Sequence, residues 1–134
     1  MPFTTFMDNA IMNEFFGGTN YIPAATLHVG LSTTTPSKAG SNITEPSGNG
    51  YARVAVPNNA SNFPAASAGS KQNGATIAFP EATGVWGTVT HFVVYDAATN
   101  GNALIYGALA NSKSIEAGDT PSFSAGGLSF SLAQ

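Results

Sequence analysis

Groups able to do acid–base, nucleophilic or metal chemistry are scarce in this chain. Its 134 residues include seven carboxylates and two histidines, and no cysteine. A pair of carboxylates can serve as the acid and base of a glycosidase, but the candidates here fall at predicted strand ends or turns, where acidic residues commonly stay in solvent. These candidates are Glu81, Asp96, Glu116 and Asp119. No G-x-S-x-G nucleophile motif or G-x-x-x-x-G-K-[ST] phosphate loop occurs. We therefore predict a protein that is not an enzyme.

Metal and cofactor sites have equally little support in the sequence. The lack of cysteine excludes thiolate-bound zinc and disulfide scaffolds. His28 and His91 each stand in a predicted strand, without the His-x-His or His-x-x-x-His spacing of a transition-metal site. Segment 96–102 is rich in Asp and Asn but lacks the alternating acidic ligands of a calcium loop, so turn chemistry explains it better. We predict no cofactor and no metal.

Aromatic side chains leave one binding alternative open. Four of them lie in or beside predicted strands: Tyr51, Trp86, Tyr95 and Tyr106. Aromatic rings at a surface can stack on sugars, whereas aromatic residues in alternating strands more often form cross-strand packing pairs. The carbohydrate-binding alternative places a surface aromatic site at Trp86 and Tyr95.

The charge content limits the classes of partner. Charged residues make up 8% of the chain, against about 25% in an average globular domain. The net charge is −3 and the four basic residues are scattered, which argues against nucleic acid as a partner. The polar surface must come instead from Ser, Thr and Asn, whose neutral groups cost little to strip of water. Such a surface favours protein–protein contact.

The length predicts a single domain over residues 1–134, with a helix in 1–18 and a β-domain over 23–134. The N-terminus lacks the basic region of a secretory signal and carries Asp8 and Glu14. No stretch approaches 18 consecutive apolar residues, so we expect no membrane span and synthesis in the cytoplasm.

Residues 3–16 are predicted to form the one helix. Apolar residues recur at helical spacing, Thr4 or Thr5 is suited to cap its start, and Gly17-Gly18 is suited to end it. The simplest interpretation is a helix packed on its own sheet. The alternative is docking onto a neighbouring subunit, because the segment carries more apolar residues than so short a helix needs. The candidate assembly contacts are Phe3, Phe6, Met7, Ile11, Phe15 and Phe16.

From residue 23 onwards the pattern has the period of two that is typical of strands. Strands are predicted over 26–31, 51–56, 73–79, 86–95, 103–109, 121–124 and 128–132. Segment 86–95 is apolar on both faces, which indicates a central strand, and Asn100-Gly101 predicts a hairpin that follows it. Two long polar segments, 32–50 and 58–74, are predicted as contact loops. The fold class is mainly β: an antiparallel β-sandwich or barrel-like domain with one short N-terminal amphipathic helix.

The order of these segments resembles a known family over nearly the whole chain. After the helix and its Gly-Gly end come YIP (21–23), TLHVGLSTTTP (26–36), EPSGNGYARV (45–54), IAFPEAT (77–83), WGTVTHF (86–92), YDAA (95–98), LIYGAL (104–109) and AGDT (117–120). Together they are similar to small accessory virion proteins of tailed bacteriophages, of the tail-fibre or head-decoration type.

The resemblance implies a non-enzymatic structural protein of the virion, bound to other virion proteins such as the major capsid protein or tail proteins. By analogy with other decoration proteins it implies a homo-oligomer, often a trimer. The leading hypothesis is a capsid decoration (cement) protein that stabilises or covers the outside of the head. The alternatives are a tail-fibre or baseplate component that contacts the host, and a carbohydrate-binding module.

Overall fold

The computed structural model describes residues 3–131. Within this range one helix, α1 (Thr5–Phe15), precedes eight strands. The strands are β1 (Thr26–Ser32), β2 (Val54–Pro57), β3 (Ser70–Gln72), β4 (Ile77–Ala78), β5 (Gly87–Tyr95), β6 (Ala103–Ile115), β7 (Ser122–Phe123) and β8 (Ser129–Ser131). The named strands pair antiparallel throughout.

Four strands form the main sheet, in the order β2-β1-β5-β6. Successive residues of a strand point to opposite faces, and residues paired across two strands share a face. Val29 opposite Val94 and Leu31 opposite Phe92 therefore lie on one face, which we call the first face. Tyr95 lies on the second face. The last four residues of β5 are all buried, so this central strand is covered on both sides as the sequence predicted.

The first face packs against two short two-stranded sheets, β3-β8 and β4-β7. Aromatic rings fill much of the space between the layers. The ring of Phe92 meets Phe123 with centroids 6.0 Å apart and Phe130 with centroids 6.5 Å apart, both edge to face. This geometry is favourable because the positive edge of one ring meets the negative face of the other. The prediction of an antiparallel, mainly β fold with one short N-terminal helix is confirmed, and the sheets do not close into a barrel.

The second face of the main sheet is covered by the chain between β1 and β2, which we call the cover loop (residues 33–53). Ile43 of this loop packs against Val93, Tyr95 and Ala103. The close approach depends on Gly30, where an added Cβ would come 2.6 Å from Glu45 Oε1. The segment predicted as a free contact loop is therefore largely part of the packing of its own chain.

Several strand boundaries differ from the sequence predictions for identifiable reasons. β2 begins at Val54 rather than at 51, because Tyr51 instead accepts a hydrogen bond at its hydroxyl from the Leu31 N–H at 3.0 Å. Residues 73–76 are not a strand. Asn73 is buried there, and its side-chain amide donates to the carbonyls of Ala75 and Ser124 at 2.9 Å each. These side-chain hydrogen bonds take the place of the backbone hydrogen bonds of a strand, which the sequence pattern had predicted here.

Two further differences concern length and pairing. β3 lies inside segment 58–74, which was predicted as a loop, because it pairs with the distant strand β8. The predicted hairpin after β5 is confirmed, with positive φ at Asn100 and Gly101, and β6 continues to Ile115 rather than ending at 109. The final strand was predicted to reach Leu132, which lies outside the described residues.

Candidate functional site

The N-terminal segment is fastened to the outer edge of β6. Phe3 forms a bridge with Ile105, and the Thr4 N–H donates to the carbonyl of Leu104 at 2.9 Å. The Thr4 hydroxyl donates to the carbonyl of Ala103 at 2.7 Å and accepts from the Met7 N–H at 3.3 Å. Thr4 is therefore the N-cap of α1, as predicted, and at the same time joins the helix to the sheet.

A lysine from the cover loop holds the first turn of α1 from the other side. Lys38 Nζ donates to the carbonyl of Phe3 at 2.6 Å and forms an ion pair with Asp8 at 2.6 Å. The Thr5 N–H donates to the Lys38 carbonyl at 2.8 Å. Asp8 also lies in the first turn, where a negative charge is favourable to the helix dipole. The start of the helix is thus fixed by several polar contacts.

Beyond this start, α1 has no buried residue. Phe15 and Phe16 are 73% and 72% exposed, although burial of such rings in water-excluding contacts is strongly favourable. The helix therefore contacts its own chain only along one partly buried side, which carries Met7, Ala10 and Ile11, and it leaves its other large apolar residues exposed. We call the exposed large apolar residues of this region the α1 patch: Phe6, Met12, Phe15, Phe16 and Ile22.

The six predicted assembly contacts fall into three groups. Phe3 is partly buried and packs against the main core cluster, so it belongs to the body of the protein. Met7 and Ile11 are partly buried. The remaining three are exposed: Phe6, Phe15 and Phe16.

Two residues of the α1 patch were missed by sequence reasoning. Met12 follows Ile11 directly and so falls outside the i, i+3, i+4 pattern used to find the apolar face. Ile22 stands alone between Tyr21 and Pro23, in a segment without periodicity. Only the fold shows that no described part of the chain covers them.

A groove opens at the other end of β6, on the first face of the main sheet. His91 pairs with Ala108 and Val89 pairs with Lys113, so four residues of β6 lie between the two pairs where β5 has one. The extra residues form a bulge in β6. A cavity of about 600 Å³ lies between this bulge and residues 119–123, and we call it the β6 groove.

The floor of the β6 groove is apolar and its rim is polar. The floor residues include Leu31, Phe79, Val89, Phe92, Phe123 and Leu128. The rim carries exposed Ala110, Asn111 and Lys113 from the bulge. Most of the floor residues belong to the core and are only 1–3% exposed, so the cavity offers little apolar surface to a ligand. The sequence did not predict this site.

The predicted surface aromatic site at Trp86 and Tyr95 is wrong, because neither ring is at the surface. Each residue is 5% exposed. Trp86 packs edge to face on Tyr51 with centroids 5.2 Å apart, and its indole N–H donates to the carbonyl of Asn49 at 2.8 Å. Tyr95 belongs to a separate cluster on the second face, beneath Arg53. Both rings are enclosed by the cover loop, most of which the sequence analysis predicted as a contact loop.

The charged cluster under the cover loop is a closed structural unit. Arg53 donates to both carboxylate oxygens of Glu45, at 3.0 and 2.9 Å, and through Nη1 to the carbonyls of Ala97 and Asn100 at 2.8 and 2.9 Å. Its guanidinium carbon lies 3.4 Å from the centroid of the Tyr95 ring. Burial raises the pKa of Tyr95 to about 12. The donors of Arg53 are engaged within the chain, so the cluster joins the loop to the β5–β6 turn.

Among residues 3–131, no group of three or more His, Cys, Asp or Glu residues is placed to hold a metal ion. Over the same range, no helix has the length and apolar character needed to cross a membrane. The arrangement that remains is one set of exposed apolar residues, the α1 patch, on a well-packed body with a cavity beside β6.

Comparison with protein-family models matches residues 2–131 to the family described as Podophage GP4 fiber I protein gp80. The match covers the α1 patch, the cover loop and the β6 groove. A search of curated proteins found no match.

Proposed function

This chain belongs to the Podophage GP4 fiber I protein gp80 family, and from that premise we propose that it is a fibre subunit at the surface of the phage particle, joined to a neighbouring subunit through the α1 patch. The family supports a tailed-phage accessory protein of the virion. The attachment through α1 is the step that the geometry of the molecule supports.

One observation carries this proposal: a helix without a buried residue that exposes Phe15 and Phe16. Taking about 200 Å² for each ring-bearing residue, the adjacent Phe15 and Phe16 together expose roughly 300 Å². Apolar patches of this size on a monomer are often interaction sites. Burying them against a partner is favourable because water is released from apolar surface.

The helix is also held ready for a partner. Its start is fixed by Thr4, which bonds both to the sheet and to the helix, and by the ion pair of Lys38 with Asp8. A surface ordered before binding loses less conformational entropy when it docks. These polar contacts therefore hold a helix with exposed aromatic residues in a fixed position on the body.

Capsid decoration is the second candidate, and the low charge of the chain favours it. Charged residues are 8% of the sequence, so a surface of neutral hydroxyl and amide groups can be desolvated at modest cost over many repeated sites. Segment 58–74 offers additional surface of this kind. The description of the family names a fibre, which makes the fibre assignment our first choice.

Incorporation into particles tests the proposal. We expect Phe15→Ser combined with Phe16→Ser to lower the number of copies per particle strongly, as measured by quantitative mass spectrometry of purified virions. Val85→Ser is the matched control, because Val85 is an exposed apolar residue outside α1. Unchanged incorporation of the double variant would contradict attachment through α1.

The copy number of the unaltered protein separates the two candidates. A copy number comparable with that of the major capsid protein indicates decoration of the head. A handful of copies per particle indicates a fibre. The same virion preparation provides both measurements.

A further inference from the structure

The chain contains three Asn-Gly pairs: Asn49-Gly50, Asn73-Gly74 and Asn100-Gly101. An asparagine followed by glycine is prone to lose its side-chain amide, because glycine has no side chain to hinder attack by its own backbone nitrogen on the asparagine Cγ. We propose that Asn100 is a site of spontaneous modification in the folded protein, where it converts to aspartate and isoaspartate, whereas Asn49 and Asn73 are protected. The reaction needs only water as co-reactant, and it does not depend on how α1 is used.

The conversion is a cyclisation followed by hydrolysis. The Gly101 backbone nitrogen gives up its proton and attacks Asn100 Cγ, so that a new N–Cγ bond forms and the Cγ–Nδ2 bond breaks. The side-chain nitrogen leaves as ammonia and takes up a proton, which balances the one lost from Gly101. Water then opens the cyclic imide at Cγ, which gives isoaspartate or aspartate according to whether the ring opens at the carbonyl carbon of Asn100 or at Cγ. No oxidation or reduction takes place.

Asn73 is locked by the fold. It is 2% exposed, and its Nδ2 donates to two backbone carbonyls at 2.9 Å each. Its Oδ1 accepts from the Leu128 N–H at 2.8 Å. The nitrogen that would attack is engaged as well, because the Gly74 N–H donates to the carbonyl of Asn62 at 2.7 Å. Both reacting groups are therefore held apart from the reaction by hydrogen bonds.

Asn49 and Asn100 form a matched pair. Both are exposed, and both adopt the left-handed backbone conformation, with φ of 52° and 54°. They differ at the side-chain amide. Asn49 Nδ2 donates to the carbonyl of Val85 at 2.9 Å, whereas the amide of Asn100 makes no hydrogen bond to any residue in the range 3–131. Asn100 Cγ is therefore free to turn towards the Gly101 nitrogen.

A cation beside Asn100 favours the first step. Removal of the Gly101 proton leaves a negative charge that is shared with the oxygen of the same peptide group, which is the carbonyl oxygen of Asn100. This oxygen accepts a hydrogen bond from Arg53 Nη1 at 2.9 Å. A donor aimed at the atom on which charge develops lowers the barrier, and a charged donor does so more strongly than a neutral one. At Asn49 the corresponding oxygen accepts instead from two neutral N–H groups.

The turn itself requires the glycine on which the reaction depends. Gly101 has φ of +72°, and an added Cβ there would come 2.5 Å from Asp96 Oδ1. The Asp96 carboxylate is fixed in this place, because it accepts from the Asn102 N–H at 2.7 Å and from the Asn102 side-chain amide at 3.0 Å. A larger residue at 101 is therefore strained and crowded. The geometry that closes the β5–β6 turn also retains its reactive pair.

The conversion changes the group that Arg53 binds. In isoaspartate the main chain runs through the side chain of residue 100, and the former carbonyl carbon of Asn100 carries a free carboxylate. The oxygen that Arg53 Nη1 contacts then belongs to an anion, which competes with Glu45 for the same guanidinium. Modified molecules therefore carry one more negative charge and a longer β5–β6 turn beside the cover loop.

Site-resolved kinetics of the full-length chain test the proposal. The wild type is incubated in mildly alkaline buffer, folded and in parallel denatured in guanidinium chloride, and peptide mapping by tandem mass spectrometry follows the three asparagines. In the denatured chain we expect similar rates at all three. In the folded chain Asn100 should convert at least about tenfold faster than Asn49 and about a hundredfold faster than Asn73, the scale of one and of several hydrogen bonds to be broken.

Gly84→Ala is the matched variant, because an added Cβ there would come 2.7 Å from Asn49 Cγ and displace that side chain from Val85. Conversion of Asn49 should rise about fivefold, the scale of one lost hydrogen bond, with the rate at Asn100 unchanged. Circular dichroism checks that the variant is folded. An unchanged rate at Asn49 would contradict its protection by the bond to Val85.

Asn100→Gly removes the reactive side chain and keeps a residue suited to the left-handed turn. An enzyme that methylates isoaspartate should label the aged wild type strongly and the aged variant weakly. Conversion of Asn49 or Asn73 in the folded wild type at the rate of Asn100 overturns the proposal. So does a folded chain in which Asn100 stays intact while the denatured chain converts, because the turn then protects this asparagine too.

Discussion

The cover loop and α1 both lie outside the strands of the main sheet, and sequence reasoning assigned both to contacts with other subunits. The cover loop is bonded to the rest of the chain through Arg53, which donates to the carbonyls of two residues in the β5–β6 turn, and through the Tyr51 hydroxyl, which accepts from the Leu31 N–H. Among the described residues, the polar contacts that join α1 to the body lie at its start, and large apolar residues are exposed along its length. The difference shows that length and polarity do not identify a contact segment. What identifies it is apolar surface that its own chain leaves uncovered.

Removal of Arg53 is expected to lower the free energy of unfolding more than any other change to the cover loop. Arg53→Met leaves the carboxylate of Glu45 without its cation in a partly buried site, and loses the bonds to the β5–β6 turn. Breaking a buried ion pair on one side costs about 3–5 kcal/mol of the free energy of unfolding. Urea denaturation followed by tryptophan fluorescence measures it, because Trp86 is buried.

The control for this variant is Lys113→Met, which removes an exposed cation that forms no ion pair within the described residues. We expect it to leave the free energy of unfolding within about 0.5 kcal/mol of the wild-type value. An equal loss in the two variants would show that the Arg53 cluster does not hold the loop in place.

A methyl group at Gly30 tests the close approach of the cover loop to the sheet. In Gly30→Ala the new Cβ would lie 2.6 Å from Glu45 Oε1 and 2.9 Å from the Tyr51 hydroxyl. Overpacking of this kind costs about 1–3 kcal/mol. The midpoint of denaturation should fall accordingly, whereas an unchanged midpoint would mean that the loop can move away without loss.

Thr4→Ala tests how α1 is joined to β6, with a somewhat smaller expected effect. The substitution removes the helix cap and the hydroxyl that donates to the carbonyl of Ala103, worth about 1–2 kcal/mol together. Hydrogen exchange should show faster exchange at the Met7 N–H. Thr4→Ser keeps the hydroxyl and should behave as the wild type; equal exchange in all three chains would contradict the role of Thr4.

Alkaline pH tests the cover loop without a change of its packing. The folded pKa of Tyr95 is raised from 10.0 to about 12 by burial, so the stabilisation is complete below pH 10. Between pH 10 and 12 the unfolded chain loses this proton while the folded chain keeps it, and stability falls. Tyr95→Phe should show a shallower fall over this range in denaturation at several pH values. A slope identical to that of the wild type would exclude Tyr95 as its source.

The main strands of the fold were predictable because their signal is local. The alternation in β1, the two-sided apolar run of β5 and the Asn100-Gly101 turn each express a short-range rule of side-chain direction or turn geometry. β3 was missed because its pairing with β8 joins residues about sixty positions apart, and three polar or small residues carry no period by themselves.

The two halves of the candidate site differ in the same way. Phe6, Phe15 and Phe16 were identified from sequence, because apolar residues in a short helix need a surface to cover them. The β6 groove was not, since it arises from a mismatch between the residues of β5 and those of β6 in one stretch of pairing. The sequence of either strand alone does not indicate such a mismatch in pairing.

The amino-acid sequence by itself determined the mainly β class, the capped helix at the N-terminus and the scarcity of charge, because these depend on residue type and spacing along the chain. Only the tertiary structure decided which surfaces are covered. It placed the cover loop over Tyr95 and left the α1 patch exposed. Covering depends on contacts between residues far apart in the chain, and those contacts exist only once the chain has folded.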